Sequence, residues 1–171
     1  MGRTKSVKRL GAVVITDDKT TAKFQTSRGH VAYVDSRFAP EIAKHQMCEH
    51  DKGYPQWRSR SGRTRLHRHI ALLAGLDVTY QIDHRDGNVR NCRVDNLRTA
   101  TAPENSWNEK LRAANTSGVK GVSYNKRLGK WTASIRYRWE TWREYFDTIE
   151  EAAAAVRAKR AELHGEFARH K

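Results

Sequence analysis

Asp83 and His84 stand side by side in a stretch that is otherwise rich in Asn and Asp. Asn96 follows His84 by 12 residues, and Asn105 follows it by 21. A carboxylate and an amide supply the oxygen ligands that suit Mg²⁺ or Mn²⁺. A neutral imidazole is a suitable general base near pH 7. This set therefore has the parts for a hydrolysis in which one cation stabilises charge and a histidine activates water.

The neighbouring elements have to bring these residues together. Residues 81–84 and 97–100 are typical of two strands joined by a polar loop. Thr101 and Glu104 form a capping-box pattern, which predicts a helix start. Asp83 then ends a strand and Asn105 lies about one turn into the helix, so a strand packed on the helix can direct both to one ion. His84 points to the other side of the strand and is free to act as the base.

These spaced residues resemble the HNH endonuclease family, in its phage and homing-endonuclease branch. The resemblance is carried by residues 66–69, 83–88, 91–98 and 104–105. It implies a ββα-metal unit that hydrolyses DNA phosphodiester bonds at a preferred site, by nicking or by double-strand cutting. It also implies that Asp83 and Asn105 hold the metal, that His84 is the base, and that Asn96 holds the loop and orients His84.

The metal positions depart from many family members, which have His where this chain has Asp and Asn. That difference favours one Mg²⁺ or Mn²⁺ over a zinc-type ion. Asn108 and Glu109 lie three and four residues after Asn105, so either is a candidate auxiliary ligand.

Two further groups of histidines and cysteines leave alternatives open. A structural zinc site is the competing interpretation of His45, Cys48, His50 and the distant Cys92, although no CxxC pair is present. His67 and His69 stand at the start of a predicted helix beside the active-site unit. We expect them to be structural, with a phosphate contact as the alternative.

The charge of the chain favours a polyanionic partner. The 171 residues include 33 Lys and Arg and carry a formal net charge of +14, which attracts double-stranded DNA. Residues 1–66 contribute +8, residues 67–112 contribute +1, and residues 113–171 contribute +5. The nearly neutral centre is where a metal site is expected.

The composition also excludes several classes of protein. Two cysteines exclude a disulfide scaffold. No apolar run approaches the roughly 20 residues of a transmembrane helix, and the basic N-terminus lacks the apolar segment of a signal peptide. We therefore expect no membrane partner and a cytoplasmic location, in the bacterial host cell if the protein is phage-encoded.

A second pattern begins after residue 120. Apolar and polar residues alternate from Lys130 to Trp139, which predicts a strand with one apolar and one basic face. A helix from Ile149 to about His164, with Thr148 and Glu151 as its capping box, is predicted to cover the apolar face. The exposed basic face then suits the DNA major groove.

This stretch resembles the APETALA-type (ethylene-response-factor) DNA-binding domain. The resemblance is carried by residues 117–122, 129–136, 146–153 and 163–169. The DNA-contacting residues predicted for this domain are Lys120, Lys130, Arg136, Arg138, Trp142 and Arg143.

The predicted fold is α+β with four segments. Residues 1–60 form a basic region of short strands, including 12–15 and 31–34, and one helix within 36–46. Residues 61–112 form the ββα-metal nuclease unit, residues 113–120 a linker, and residues 121–171 a three-stranded antiparallel sheet packed on one helix. A monomer is favoured, because the chain shows no leucine-rich interface helix. The alternative function is a non-catalytic DNA-binding or regulatory protein that retains the nuclease fold.

Overall fold

A computed structural model describes residues 13–16, 18–60, 62–109, 111 and 113–169. The chain divides into two compact units, one up to Thr99 and one from Ala100 onward. The domain boundaries predicted at residues 60, 112 and 120 stay predictions. Within the described residues, no helix is long and apolar enough to cross a membrane.

Among the described residues, the first unit contains three small sheets and two helices, with the last strand reaching Ala100 at the start of the second unit. One antiparallel sheet has the order β1-β2-β3, a second has the order β4-β5-β6, and β7 pairs with β8. The elements are β1 (Val14–Ile15), β2 (Thr21–Gln25), β3 (Val31–Asp35), α1 (Ala39–Ile42), β4 (Cys48–Glu49), β5 (Pro55–Ser59), β6 (Gly62–Arg65), α2 (Leu66–Leu73), β7 (Gln81–His84) and β8 (Leu97–Ala100). Single 3-10 turns precede α1 at Ser36–Phe38 and β8 at Val94–Asn96.

One hydrophobic core joins these elements. It includes side chains from every sheet and both helices, among them Phe24, Val34, Ile42, Trp57, Leu66, Ile70, Ile82, Cys92 and Leu97. The N-terminal sheets therefore share a core with β7, the strand that carries Asp83 and His84. Burial of this apolar surface is what fixes the position of β7.

Three features of this unit differ from the predicted elements. The strand β2 was not predicted, because only Ala22 and Phe24 mark its buried face. The helix α1 ends at Ile42, short of the predicted stretch to residue 46. The strand predicted at 12–15 is present at Val14–Ile15, and Ala12 lies outside the described residues.

The second unit confirms the predicted sheet and helix, and with them the α+β class. Its elements are α3 (Ala102–Trp107), β9 (Val122–Asn125), β10 (Lys130–Tyr137), β11 (Glu140–Phe146) and α4 (Ile149–His164), followed by a 3-10 turn at Gly165–Phe167. The antiparallel sheet has the order β11-β10-β9. Its core consists of Val122, Ala133 and Ile135 from the sheet with Ala152 and Val156 from α4.

Local sequence explains where the helices of this unit begin. Both predicted capping boxes are present, Thr101 with Glu104 and Thr148 with Glu151. Each satisfies backbone N–H groups that a helix start leaves without partners. Before β9, Gly121 has a φ of 81°, and a Cβ there would lie 2.8 Å from the Ser134 carbonyl oxygen. Only glycine fits this close approach of two backbones.

The predicted alternation along β10 is wrong at its end. The strand stops at Tyr137. Arg138 has a φ of 54°, and Trp139 is 93% exposed in the turn to β11. Neither residue belongs to a face of the sheet, because the period of two ends where the backbone turns.

Candidate active site

The strand β7 ends in two buried polar residues. Asp83 is 5% exposed and His84 is 4% exposed. Arg98 on β8 donates to Asp83 Oδ2 from Nε at 2.9 Å and from Nη2 at 2.8 Å. Arg98 is itself buried. A buried carboxylate without a partner would destabilise the fold, and the ion pair with Arg98 offsets that cost. The carboxylate next to His84 in the chain is therefore charge-compensated.

The His84 imidazole lies in an aromatic and thiol environment. Its ring centroid is 5.0 Å from that of His67 and 6.0 Å from that of Tyr54. Its Nε2 is 3.9 Å from Cys92 Sγ. Burial lowers the pKa of His84 to about 4, against the opposing effects of Asp83 and Asp86. His84 is therefore neutral at pH 7, the form that accepts a proton.

His67 and Cys92 are also uncharged beside His84. Burial, with the charges of His84, Arg65 and Arg68, lowers the pKa of His67 to about 3. Burial raises the pKa of the Cys92 thiol, with Asp86 adding to the effect. A protonated thiol is a poor metal ligand. The neutral His67 ring thus packs against the His84 ring.

Asn96 fixes the loop that follows His84. Its Oδ1 accepts from the Asp86 backbone N–H at 3.0 Å, and its Nδ2 donates to Asp86 Oδ1 at 3.0 Å and to the Asn91 carbonyl at 2.7 Å. Its own carbonyl accepts from the Arg85 N–H. The side chain thus spans the loop from Asp86 to Asn91.

The N-terminal sheet holds the same loop from the other side. Tyr33 on β3 donates its backbone N–H to the Arg90 carbonyl, and its carbonyl accepts from the Cys92 N–H. Asp35 Oδ2 accepts from the Val94 N–H at 2.8 Å. The sequence carried no signal for these contacts, which join residues nearly 60 positions apart.

Glu49 on β4 makes a further buried contact with this loop. Arg90 Nη2 donates to Glu49 Oε1, and Thr26 donates to Oε2 at 2.7 Å. Burial acts to raise the pKa of Glu49, but the hydrogen bonds to His30, Thr26 and Arg90 outweigh it and lower the pKa to about 2. Glu49 therefore holds the loop between β7 and β8 through the ion pair of its buried carboxylate with Arg90.

The other predicted metal ligands lie on or after α3, in the second unit. Asn105 is half-buried and its backbone N–H donates to the Thr101 carbonyl. Asn108 is the buried C-cap of α3, and Glu109 is exposed. The capping box begins the helix at Ala102, so Asn105 is its fourth residue.

The histidines and cysteines of the competing zinc interpretation do not gather in one place. Cys92 lies beside His84, and Cys48 is a half-buried free thiol. His50 Nδ1 accepts from the Lys52 N–H in a turn. His45 instead lies near Glu41 and His69. The interpretation of these four residues as a structural zinc site is therefore wrong.

In the second unit, the predicted DNA-contacting residues divide between several surfaces. Ser134 pairs with Arg143 and Arg136 with Thr141 across β10 and β11, so Arg136 and Arg143 share the sheet face opposite the helix. Lys130 lies on that face and forms a 3.0 Å ion pair with Asp147. Arg143, Tyr145, Thr132 and Ser134 line a shallow groove there.

Three predicted residues lie elsewhere in this unit. Trp142 pairs with Ile135 and packs against the core under α4, so it is on the opposite face from Arg143. Arg138 lies in the turn after β10. Lys120 Nζ donates to the backbone carbonyls of Trp107 and Glu109, which ties the chain before β9 to the end of α3.

Known proteins are similar to this chain over the segment that contains Asp83 and His84 and over longer stretches of the sequence. The HNH endonuclease family model matches residues 64–107. Protein 3.8 of Escherichia phage T7 is 42% identical over 90 residues, which are 53% of this chain and 74% of that protein. The uncharacterized HNH endonuclease L560 of Acanthamoeba polyphaga mimivirus is 32% identical over 145 residues, which are 82% of this chain and 74% of that protein. No solved structure matches the chain.

A strand ending in a buried Asp–His pair, within a stretch that matches nucleases, defines this protein as a nuclease. It belongs to the HNH endonuclease family, and its substrate is DNA. The predicted family is thereby confirmed. The family match ends at residue 107, so a DNA-binding domain of APETALA type remains a prediction.

Proposed function

We propose that this nuclease hydrolyses phosphodiester bonds of double-stranded DNA at a preferred site, with one bound Mg²⁺ or Mn²⁺, as a phage or homing type enzyme. The observation that carries the proposal is the pair Asp83–His84 at the buried end of β7. It puts a charge-compensated carboxylate and a neutral imidazole at adjacent positions. Metal-dependent hydrolysis of a phosphodiester uses a carboxylate to hold the ion and an imidazole as the general base.

The ligand types proposed for the metal suit a hard cation. Asp83 would contribute a carboxylate oxygen and Asn105 an amide oxygen, which suit Mg²⁺ or Mn²⁺. The Cys92 thiol is held in its protonated form by burial, which raises its pKa, and this disfavours a thiolate-bound ion. When bound, the cation would stabilise negative charge on the phosphate and on the leaving oxygen. Asn108 and Glu109 are the further candidate ligands.

His84 accepts the proton of the attacking water in this proposal. Burial lowers the pKa of His84 to about 4, so the imidazole is neutral at pH 7. Asn96 acts as a positioning residue, because its three hydrogen bonds hold the loop that follows His84. Arg98 compensates the charge of Asp83 from the neighbouring strand.

DNA binding is supported by the net charge of +14 and by the basic face of β10 and β11. A charge of this size draws the duplex to the protein through long-range attraction to phosphate. Arg136 and Arg143 on the sheet face are proposed to select the site. We place the reaction in the cytoplasm of a bacterial host, with the protein acting as a monomer.

The test is cleavage of supercoiled plasmid by the full chain with Mg²⁺, with Mn²⁺ and with EDTA. We expect nicked or linear product with either metal and none with EDTA. His84→Ala should slow cleavage by about 10²–10⁴-fold, the contribution of a general base. DNA binding, measured by mobility shift in EDTA, should stay within a few fold, because a buried base adds little affinity.

His50→Ala is the matched control, since His50 lies in a turn outside the site and its substitution should leave cleavage intact. Equal cleavage by wild type and His84→Ala would remove the proposed base. Plasmid binding without metal-dependent cutting on any DNA would favour the non-catalytic DNA-binding alternative.

A further inference from the structure

A cluster of three potential metal ligands lies in the first unit and takes no part in the site above. Glu41 is on α1, His45 follows one turn later, and His69 is on α2. Glu41 Oε1 is 3.3 Å from His45 Nε2 and 3.7 Å from His69 Nε2. The three ligand atoms all lie within 4.8 Å of one another, the one such cluster of His, Cys, Asp or Glu among the residues that the structure describes.

The separations of the two imidazole nitrogens from Glu41 Oε1 suit a tetrahedral ion. Zinc binds His nitrogen and carboxylate oxygen at about 2.0–2.2 Å, so two ligand atoms on a tetrahedral ion are about 3.3–3.5 Å apart. Both measured distances to Glu41 Oε1 are within a few tenths of an ångström of that value. Two His and one Glu with a fourth position for water is a known zinc ligand set.

The two imidazoles are already oriented by packing. The His45 ring stacks on Trp57 at 4.3 Å and 15°, and the edge of His69 meets the same indole at 4.9 Å and 89°. Trp57 is 4% exposed on β5, so it is a fixed support. Rings held in this way lose little further freedom when they bind an ion.

The Glu41 carboxylate is also held in position by a neighbouring side chain. Lys44 Nζ donates to Glu41 Oε2 at 2.6 Å, while Oε1 is the oxygen nearest both imidazoles. His69 Nε2 is a buried atom that has no hydrogen-bond partner among the described residues. A metal ion would satisfy that nitrogen.

We infer that Glu41, His45 and His69 form a second metal site, selective for Zn²⁺ or a similar transition-metal ion. Imidazole nitrogen favours such ions over Mg²⁺, whereas the oxygen donors Asp83 and Asn105 favour the reverse. The two sites share no residue. The ion would link α1 to α2 across 28 positions of the chain and thereby stabilise the core on which β7 rests.

The test is binding of Zn²⁺ and Co²⁺ to the full chain in excess Mg²⁺. Isothermal titration gives stoichiometry, and the visible absorption bands of Co²⁺ report four-coordination. Zn²⁺ should raise the melting temperature by roughly 10 °C at a hundredfold excess over Kd, because it binds only the folded state.

Two variants identify the ligands, and one controls for histidine loss. His45→Phe keeps a ring to stack on Trp57 but has no ligand nitrogen, and Glu41→Gln keeps the shape of the side chain but not its charge. Each should bind one equivalent of Zn²⁺ fewer than wild type, or bind it at least tenfold more weakly, and lose the Zn²⁺-dependent shift in melting temperature. His50→Gln should behave as wild type.

Melting in EDTA and circular dichroism verify that each variant is folded. The inference is overturned if wild type binds no Zn²⁺ beyond what Mg²⁺ displaces. It is equally overturned if folded His45→Phe and Glu41→Gln match the wild type in stoichiometry and affinity, since the cluster is then an ordinary ion pair. Neither result bears on whether the chain cuts DNA with Mg²⁺.

Discussion

The Asp83 carboxylate and the Arg98 guanidinium form a buried ion pair. Both groups are about 95% removed from solvent, and the two hydrogen bonds of 2.8 and 2.9 Å end on one oxygen. Replacing Arg98 by a neutral side chain removes a compensating charge from the buried Asp83 carboxylate. Arg98→Gln should therefore lower the free energy of unfolding by about 3–5 kcal/mol, as measured by urea denaturation.

A surface ion pair on the same loop provides the control for this prediction. Arg93 and Asp95 are 2.9 Å apart but far more exposed than Asp83 and Arg98. Asp95→Asn should change stability by less than about 1 kcal/mol. Similar losses in Arg98→Gln and Asp95→Asn would mean that the buried pair is not what stabilises β7.

Single residues of the site differ in how far the sequence predicts them. Asp83, His84 and Asn96 were predicted because adjacent residues and fixed spacings carry the family pattern. Arg98 was not, since one Arg among 33 basic residues has no distinguishing signal before its strand is paired with β7. The same holds for His45 and His69, which lie 24 positions apart and become neighbours only through packing on Trp57.

At the level of elements, the loop between β7 and β8 depends on one side chain. Asn96 accepts one hydrogen bond and donates two within this loop. Asn96→Ala removes these three hydrogen bonds, each of which contributes about 0.5–1.5 kcal/mol to the stability of the loop. We expect faster amide hydrogen exchange at Asp86 and at least tenfold slower DNA cleavage.

Asn88→Ala is the control for the loop, because Asn88 is exposed and accepts one local hydrogen bond from the Arg90 N–H. It should cause a smaller change in both measurements. Unchanged exchange at Asp86 in Asn96→Ala would show that the backbone contacts with β3 hold the loop without the side chain.

Helix α3 is joined to α4 by an aromatic stack. The Trp107 and His164 rings are 4.4 Å apart and 5° from parallel. His164 is 7% exposed, and neither ring nitrogen has a hydrogen-bond partner among the described residues. Burial, with the charges of Arg160 and Lys120, lowers the pKa of His164 from 6.5 to about 4.

This pKa makes the second unit sensitive to acid. Between pH 6.5 and pH 4 the unfolded chain binds a proton at His164 that the folded chain excludes, so stability is complete above pH 6.5 and falls as the pH drops. From pH 6.5 to pH 5 the wild type should lose about 1.5 kcal/mol more than His164→Phe, which keeps the stack but cannot titrate. Urea unfolding followed by Trp fluorescence measures the difference. A parallel loss in both proteins would exclude His164 as its source.

Elements were predicted best where a local pattern is complete. The capping boxes of α3 and α4 and the alternation along β10 each lie within a few residues, and all three elements are present. The strand β2 has only two apolar side chains on its buried face and exists through its pairing with β3, as in Ala22 with Val34. The early end of β10 follows from the positive φ of Arg138, which a period of two does not reveal.

At the scale of the whole molecule, the family match over residues 64–107 includes residues of both compact units. Helix α3, which carries Asn105, belongs to the second unit through the Trp107–His164 stack and the Lys120 hydrogen bonds. A truncation in the linker at residues 113–120 would remove both supports of α3. The contribution of the sheet to DNA binding therefore has to be tested by substitutions in the full chain.

Arg136 and Arg143 lie on the same open face of the sheet, whereas Arg157 is exposed on α4. If the sheet face binds DNA, the double substitution Arg136→Ala, Arg143→Ala should weaken binding at the preferred site by tenfold or more. A guanidinium paired with a guanine gives about 1–3 kcal/mol of discrimination, whereas a phosphate contact mainly gives salt-dependent affinity. Loss of two phosphate contacts should therefore reduce the slope of log affinity against log salt concentration, the salt slope, by about 2. Loss of base contacts should instead broaden the mapped cleavage sites.

Arg157→Ala should leave the site pattern intact and serves as the charge control. An equal effect of the sheet and helix substitutions on affinity, salt slope and cleavage sites would show that the basic face contributes only general charge.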